Sequence, residues 1–289
     1  MAADKLHIFE RHANKSPRMV IGFSGWMNSG KVSTGSVEWL IEVLGAQRSA
    51  AISPDGFYIY NFPGPMEVAE EFRPHTVIDV GSVISYDEPS NLFYYDKTNE
   101  LLLFLGREPN INWDEYADCI FNVCRDYDVK EIYFVGSVAG LVPHTRESKI
   151  FCTLSDQTYK DDFDEHGFKF SSYQGPASFI THLLVRCAKH KIMMASLVLT
   201  VPAYIHGDNP KCMEVAIRNL RNMLGLKVKL NRLRNISDEF EKKLNEVIRD
   251  IPELSESIEK LEEVIDKELI EEDMPDLKDW LHEKGVRLE

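Results

Sequence analysis

Gly25 to Ser33 reads GWMNSGKVS, one residue short of the phosphate-cradling loop G-x-x-x-x-G-K-[ST]. That loop needs glycine amides around the phosphates, a lysine reaching the outer ones, and a hydroxyl next to the lysine to hold magnesium. Here the hydroxyl position is Val32. The strands that could supply a metal-holding aspartate end in glycine instead, so nucleotide chemistry is not expected. Asp161 to Gly167, DDFDEHG, opens like a calcium loop, yet its twelfth position is Tyr173 where a bidentate glutamate is required. There is no G-x-S-x-G elbow, and no histidines stand at i, i+4. No catalytic residue, cofactor or metal is assigned.

Chemistry, if present, has to come from side chains that loops bring together. Trp26 and Asn28 follow one predicted strand, Glu108 a second, His144 and Arg146 a third, and Tyr204 a fourth. Tyr173 precedes a further helix. In open parallel sheets such loops meet beyond the carboxyl ends of the strands. A carboxylate, a histidine and an arginine meeting there form a candidate ligand cleft able to do acid–base work or grip an anion. The same residues also admit an architectural reading: a cross-loop Glu108–Arg146 pair, a hydrogen-bonded core His144, and Trp26 lying over the end of the sheet.

The elements that would position these loops are written in the hydrophobic pattern. RMVIGFS (18–24) reads as a buried strand. Val37, Leu40, Ile41 and Leu44 then recur at helical spacing before Gly45. The same alternation returns in LLLFLG (101–106) with a helix near 113–126, in EIYFVGS (131–137), and in MASLVLTVP (194–202) with a helix opened by Asn209 and Pro210. This grammar predicts an α/β fold with a mixed, mostly parallel sheet covered by helices. TVIDVGSVISY, LFYYD and NELLL are expected to extend that sheet as an antiparallel patch. From Phe240 to Ile265 a heptad seam runs through Leu244, Val247, Ile251, Leu254, Ile258 and Leu261. Pro252 should split it into two helices meeting near Asp250. The organisation expected is an α/β domain over 1–234 and an acidic helical tail over 235–289 that ends in a short terminal helix.

The net charge of −14 sits mostly in that tail, where 19 acids face 8 bases. Counterion-release binding to nucleic acid or to an anionic membrane is therefore disfavoured. The five cysteines form neither a C-x-x-C nor a Cys/His cluster, which points to the cytoplasm. The charged start MAADKLHIFERH does not read as a secretory leader, and no apolar run is long enough to span a bilayer.

Five stretches carry a resemblance: GFSGWMNSGKVS (22–33), LGREPNINW (105–113), GSVAGLVPHTR (136–146), YQGPASFI (173–180) and VPAYIHGDNPKCM (201–213). Their content and order resemble the proteasome assembly chaperone family, second-subunit type, over about residues 18 to 225. GWMNSGKVS then resembles the family's Gly-Trp-x-Asp-x-Gly turn, with Asn28 where an aspartate is usual. The resemblance implies a phosphorylase/hydrolase-like α/β fold. It also implies a protein that works by protein–protein contact and self-associates into small rings, trimers among them, with another protein subunit as a second class of partner. The family's proteasome-docking members end in a hydrophobic residue, a tyrosine and any residue. This chain ends Arg287, Leu288, Glu289, so docking by that route is not expected. The alternative is an enzyme or small-molecule binder using the cleft.

Overall fold

The structure, a computed structural model, describes residues 2–11 and 16–273. Short elements open the chain: α1 (Ala2–Lys5) and β1 (Leu6–Ile8). The first βα unit follows as β2 (Arg18–Ser24) and α2 (Val32–Leu44), and β3 (Gln47–Ile52) comes next. A long connection over 53–91 holds α3 (Met66–Ala69), β4 (Thr76–Asp79) and β5 (Ser82–Tyr86). Then come β6 (Leu92–Asp96), β7 (Leu101–Arg107), α4 (Trp113–Tyr127) and β8 (Glu131–Gly140). They are followed by β9 (Ile150–Leu154), α5 (Lys160–Asp164), β10 (Lys169–Phe170), α6 (Phe179–His190) and β11 (Met193–Pro202). Three helices close the described chain: α7 (Pro210–Leu224), α8 (Asn231–Arg249) and α9 (Pro252–Asp273). The short terminal helix expected further on lies outside the described residues.

One sheet runs β1-β3-β6-β7-β2-β8-β11-β9-β10. Its centre, β7-β2-β8-β11, is parallel, and β6 and β9 flank it antiparallel. The sheet is thus mixed, as the βα alternation predicts. Strand side chains alternate between faces, so each central strand feeds two cores. Val20, Leu103, Val135 and Leu199 face α2 and α7, while Ile21, Phe104, Phe134 and Met194 face α4 and α6. This arrangement explains the near-continuous apolar runs: a strand covered on both sides leaves no face for polar residues. Gly22 lets α2 lie close on β2, because a Cβ there would come within 2.7 Å of Ser33 O and Val37 Cγ2.

Two expectations need correcting. LFYYD joins the main sheet as β6, but β4 and β5 pair only with each other in a separate two-stranded sheet. They lie inside the 53–91 connection between β3 and β6, and their residues pair across the hairpin rather than with a main-sheet strand. In the helical tail the break falls where proline demands, with Asp250 capping α8 and Pro252 opening α9. The inward residue near that end is Ile248, however, and Val247 is exposed. Over α8 the 3.6-residue period of a straight helix, rather than a strict heptad, decides which side chain turns in.

Candidate functional site

β2, β7, β8 and β11 all end at one edge, and their loops are wired together there. After Ser24 the chain turns at Gly25, whose φ of +137° suits glycine, and a Cβ there would lie 2.8 Å from Glu108 Oε2. Glu108 leaves β7 with its own N–H donating to Ser24 O at 2.8 Å. Its carboxylate then accepts from two amides, Trp26 N–H at 2.9 Å and Phe179 N–H at 3.0 Å. Phe179 is the first residue of α6, so the carboxylate satisfies an N–H that the helix cannot pair internally and sits at the positive end of its dipole. Glu108 does not pair with Arg146. It fixes the backbone that carries Trp26, whose side chain is 70% exposed.

Asn28 reaches over the intervening turn to the first turn of α2: its Oδ1 accepts from Thr34 N–H at 3.0 Å and its Nδ2 donates to Thr34 Oγ1 at 3.1 Å. The same turn leans on β8, with Ser137 N–H donating to Met27 O and Ser137 Oγ to Ser29 O. The groups a phosphate loop would offer are engaged elsewhere. Lys31 pairs with Asp208 at 3.0 Å, which raises its pKa. Ser33, fully buried, donates to Val135 O at 2.5 Å and accepts from Phe23 N–H at 3.0 Å, so its hydroxyl ties α2 to both β2 and β8.

His144 is only 4% exposed. The Tyr204 hydroxyl accepts from His144 N–H and lies 2.8 Å from ring Nδ1, while Nε2 lies 2.9 Å from Asn245 Oδ1 on α8. These contacts fit one tautomer: Tyr204 O–H donates to Nδ1, and Nε2–H donates to Asn245. Burial pushes the Tyr204 hydroxyl up to about 12. Arg146 makes a bidentate pair with Asp266 on α9, at 2.8 and 2.7 Å, and lies 3.7 Å from Glu262. The pairing holds the Asp266 carboxyl below the usual range. Thr145 also hydrogen-bonds Glu262, and Lys211 bridges His144 O and Glu241.

The predicted residues thus fall into groups. Trp26, Asn28 and Glu108 share the β2 turn and its supports. His144, Arg146 and Tyr204 lie beneath α8 and α9. Tyr173 stands apart, 72% exposed, with its hydroxyl donating to Pro176 O in its own loop. The opening lined by His144, Arg146, Lys211 and Phe240 measures about 10 Å³, room for one water, whereas small-molecule pockets run to several hundred. A recess of about 200 Å³ lies beside it, between Leu141, Arg146, Phe151 and Ile265. Among the described residues no three His, Cys, Asp or Glu side chains gather as a metal set, and no helix is long and apolar enough to cross a membrane. Sequence reasoning missed Asn245, Glu262 and Asp266. The one signal for the last two was their i, i+4 spacing, which puts both acids on one face of α9.

Residues 22–248 match the PAC2 family. No curated protein matches the sequence. Among solved structures, a Corynebacterium glutamicum protein of unknown function superposes with a TM-score of 0.79 at 18% identity, covering 93% of this chain and 99% of that one. A Mycobacterium tuberculosis proteasome-assembly chaperone homologue gives 0.72 at 22% identity, covering 83% and 99%. An archaeal proteasome activator from Pyrococcus furiosus, PbaB, gives 0.62 at 18% identity, covering 84% and 97%.

Proposed function

The chain belongs to the PAC2 family, and from that premise we propose that it is a cytoplasmic, self-associating protein that works by protein–protein contact, as an assembly or chaperone-like factor. The observation that carries this reading is the rim of the sheet. Trp26 and Leu141, 70% and 81% exposed, lie on the loops that follow β2 and β8 at that edge. The Trp26 turn is held by the Glu108 carboxylate and by β8. Large side chains presented on a fixed backbone lose little freedom on binding, which suits them as anchors for another protein. The opening beside His144 and Arg146, about 10 Å³, is too small for a metabolite, and the recess lined by Leu141 measures about 200 Å³.

In this reading the 235–289 segment is an acidic appendage to the 1–234 body. Its pairing with His144 and Arg146 places negative charge beside the rim and disfavours acidic partners there. The client is another protein subunit. The names of two structural neighbours suggest testing proteasome-type subunits first.

Native mass spectrometry of the protein purified from its own host tests the proposal. A multiple of 33.2 kDa, or the chain with a second subunit bound, is the expected result. A lone 33.2 kDa species carrying a retained small molecule would overturn it in favour of the cleft.

A further inference from the structure

We propose that the loop after β8, through Thr145 and Arg146, is a docking site for an acidic helix of a partner protein, and that α9 is its internal occupant, holding the site closed until it is displaced. The inference rests on the protein–protein reading above and names the partner's chemistry. That chemistry is written in the present cover. Glu262 and Asp266 stand at i, i+4 on α9, so both carboxylates fall on one face. Asp266 takes the Arg146 guanidinium bidentately at 2.8 and 2.7 Å. Glu262 accepts from Thr145 Oγ1 and lies 3.7 Å from Arg146 Nη1. A planar fork set against two carboxylates one turn apart reads an acidic helix by shape as well as by charge.

α9 is a weakly seated cover. Among its described side chains only Ile258 is buried, and Pro252 separates the helix from α8. An element with so few buried apolar contacts lies at the low end of a protein's opening energies. The seat is also incompletely filled. Beside the Arg146–Asp266 pair lies the recess of about 200 Å³, walled by Leu141, Val142, Pro143, Phe151 and, from α9, Ile265. A partner helix with the same two acids and a larger apolar residue in the place of Ile265 keeps both polar contacts and buries more surface in that recess. This fixes the occupant as an acidic amphipathic helix with a large apolar side chain next to its second carboxylate. Seated, α9 turns acidic partners away from the rim. When it leaves, two carboxylates leave Arg146 with it, and the same place attracts them.

Fluorescence anisotropy tests this with the full chain and a labelled peptide of residues 252–273, which stands for the partner helix. A tethered segment competes at an effective concentration of roughly millimolar, so micromolar peptide should bind wild type poorly. E262K/D266K removes both carboxylates from the cover, and E262Q/D266N does so without adding charge. The expected result is a peptide affinity at least tenfold higher for either opened chain than for wild type, a further gain with an I265F peptide, and loss of the gain when R146A is added. The thermal midpoint of each variant checks that the body is folded. An opened chain that binds the peptide no better than a scrambled one of equal charge overturns the docking site and leaves the protein-contact reading, which native mass spectrometry tests separately. Equal binding by wild type and opened chains overturns α9 as the occupant. Binding that survives R146A overturns the Arg146 seat, and an I265F peptide that binds no tighter removes the recess from the site. Wild-type dimers in sedimentation velocity that vanish in R146A would place a second copy's α9 in the seat and overturn the foreign partner.

Discussion

Replacing Glu108 by alanine removes the one carboxylate that joins the ends of β2 and β7 to the start of α6. Two backbone amides lose their acceptor, Trp26 N–H at 2.9 Å and Phe179 N–H at 3.0 Å. A hydrogen bond to a charged group contributes about 1.5–3 kcal/mol. Glu108 is half-buried, so water partly replaces the lost acceptor and the lower end of that range applies. We expect E108A to cost about 3 kcal/mol in urea unfolding at neutral pH, the sum of two such bonds. At roughly 2–4 °C per kcal/mol for a chain of this size, the melting midpoint should fall by about 6–12 °C. E108Q keeps one acceptor oxygen and turns an NH2 toward the other amide, so its cost should lie between wild type and E108A. A loss below about 0.5 kcal/mol for E108A, the level of an ordinary surface substitution, would refute the account of Glu108 as the brace of the rim.

Ser33→Ala should cost about 1–3 kcal/mol by the same assay, because the buried Phe23 N–H loses its acceptor with no route for water to replace it. A neutral result would show that the hydroxyl is not the tie between α2, β2 and β8. The Asp266 carboxyl is held below its ordinary value by Arg146, so the pair's contribution is present above the unfolded pKa of about 3.9 and disappears as pH falls through the lower folded value. Hydrogen exchange should therefore report faster opening of α9 in acid than at neutral pH. R146A should open α9 at neutral pH and flatten that dependence, and an R146A chain with unchanged exchange in α9 would remove the latch.

The layered fold was legible because covered strands must be apolar and their helices amphipathic, so RMVIGFS, LLLFLG and MASLVLTVP announced the central sheet in one dimension. The meeting of their loops at one edge followed from topology. What each polar side chain does there was not legible. Glu108 looked like a general base or an ion-pair partner, but its carboxylate is taken up by two amides 82 and 71 residues away along the chain. Arg146 and His144 looked like anion-binding groups, and their partners come from α8 and α9, where the spacing puts Glu262 and Asp266 on one face without saying that this face turns inward. The β4–β5 segment misled for a related reason. Its residue types specify strand, while pairing partners are set by where the chain has room, and the 53–91 connection carries it clear of the main sheet.

Asn28 has a consequence for how the rim responds to its surroundings. An amide at that position both gives and takes a hydrogen bond with Thr34 and has no proton to gain in acid, so this hold on α2 is insensitive to acidity where an aspartate would not be. The Arg146–Asp266 clasp a short way along the same edge depends on a carboxylate staying ionised. One margin of the molecule therefore combines a hold on α2 that carries no titrating group with a clasp that does, and only acid below the ordinary carboxylate range would release the clasp.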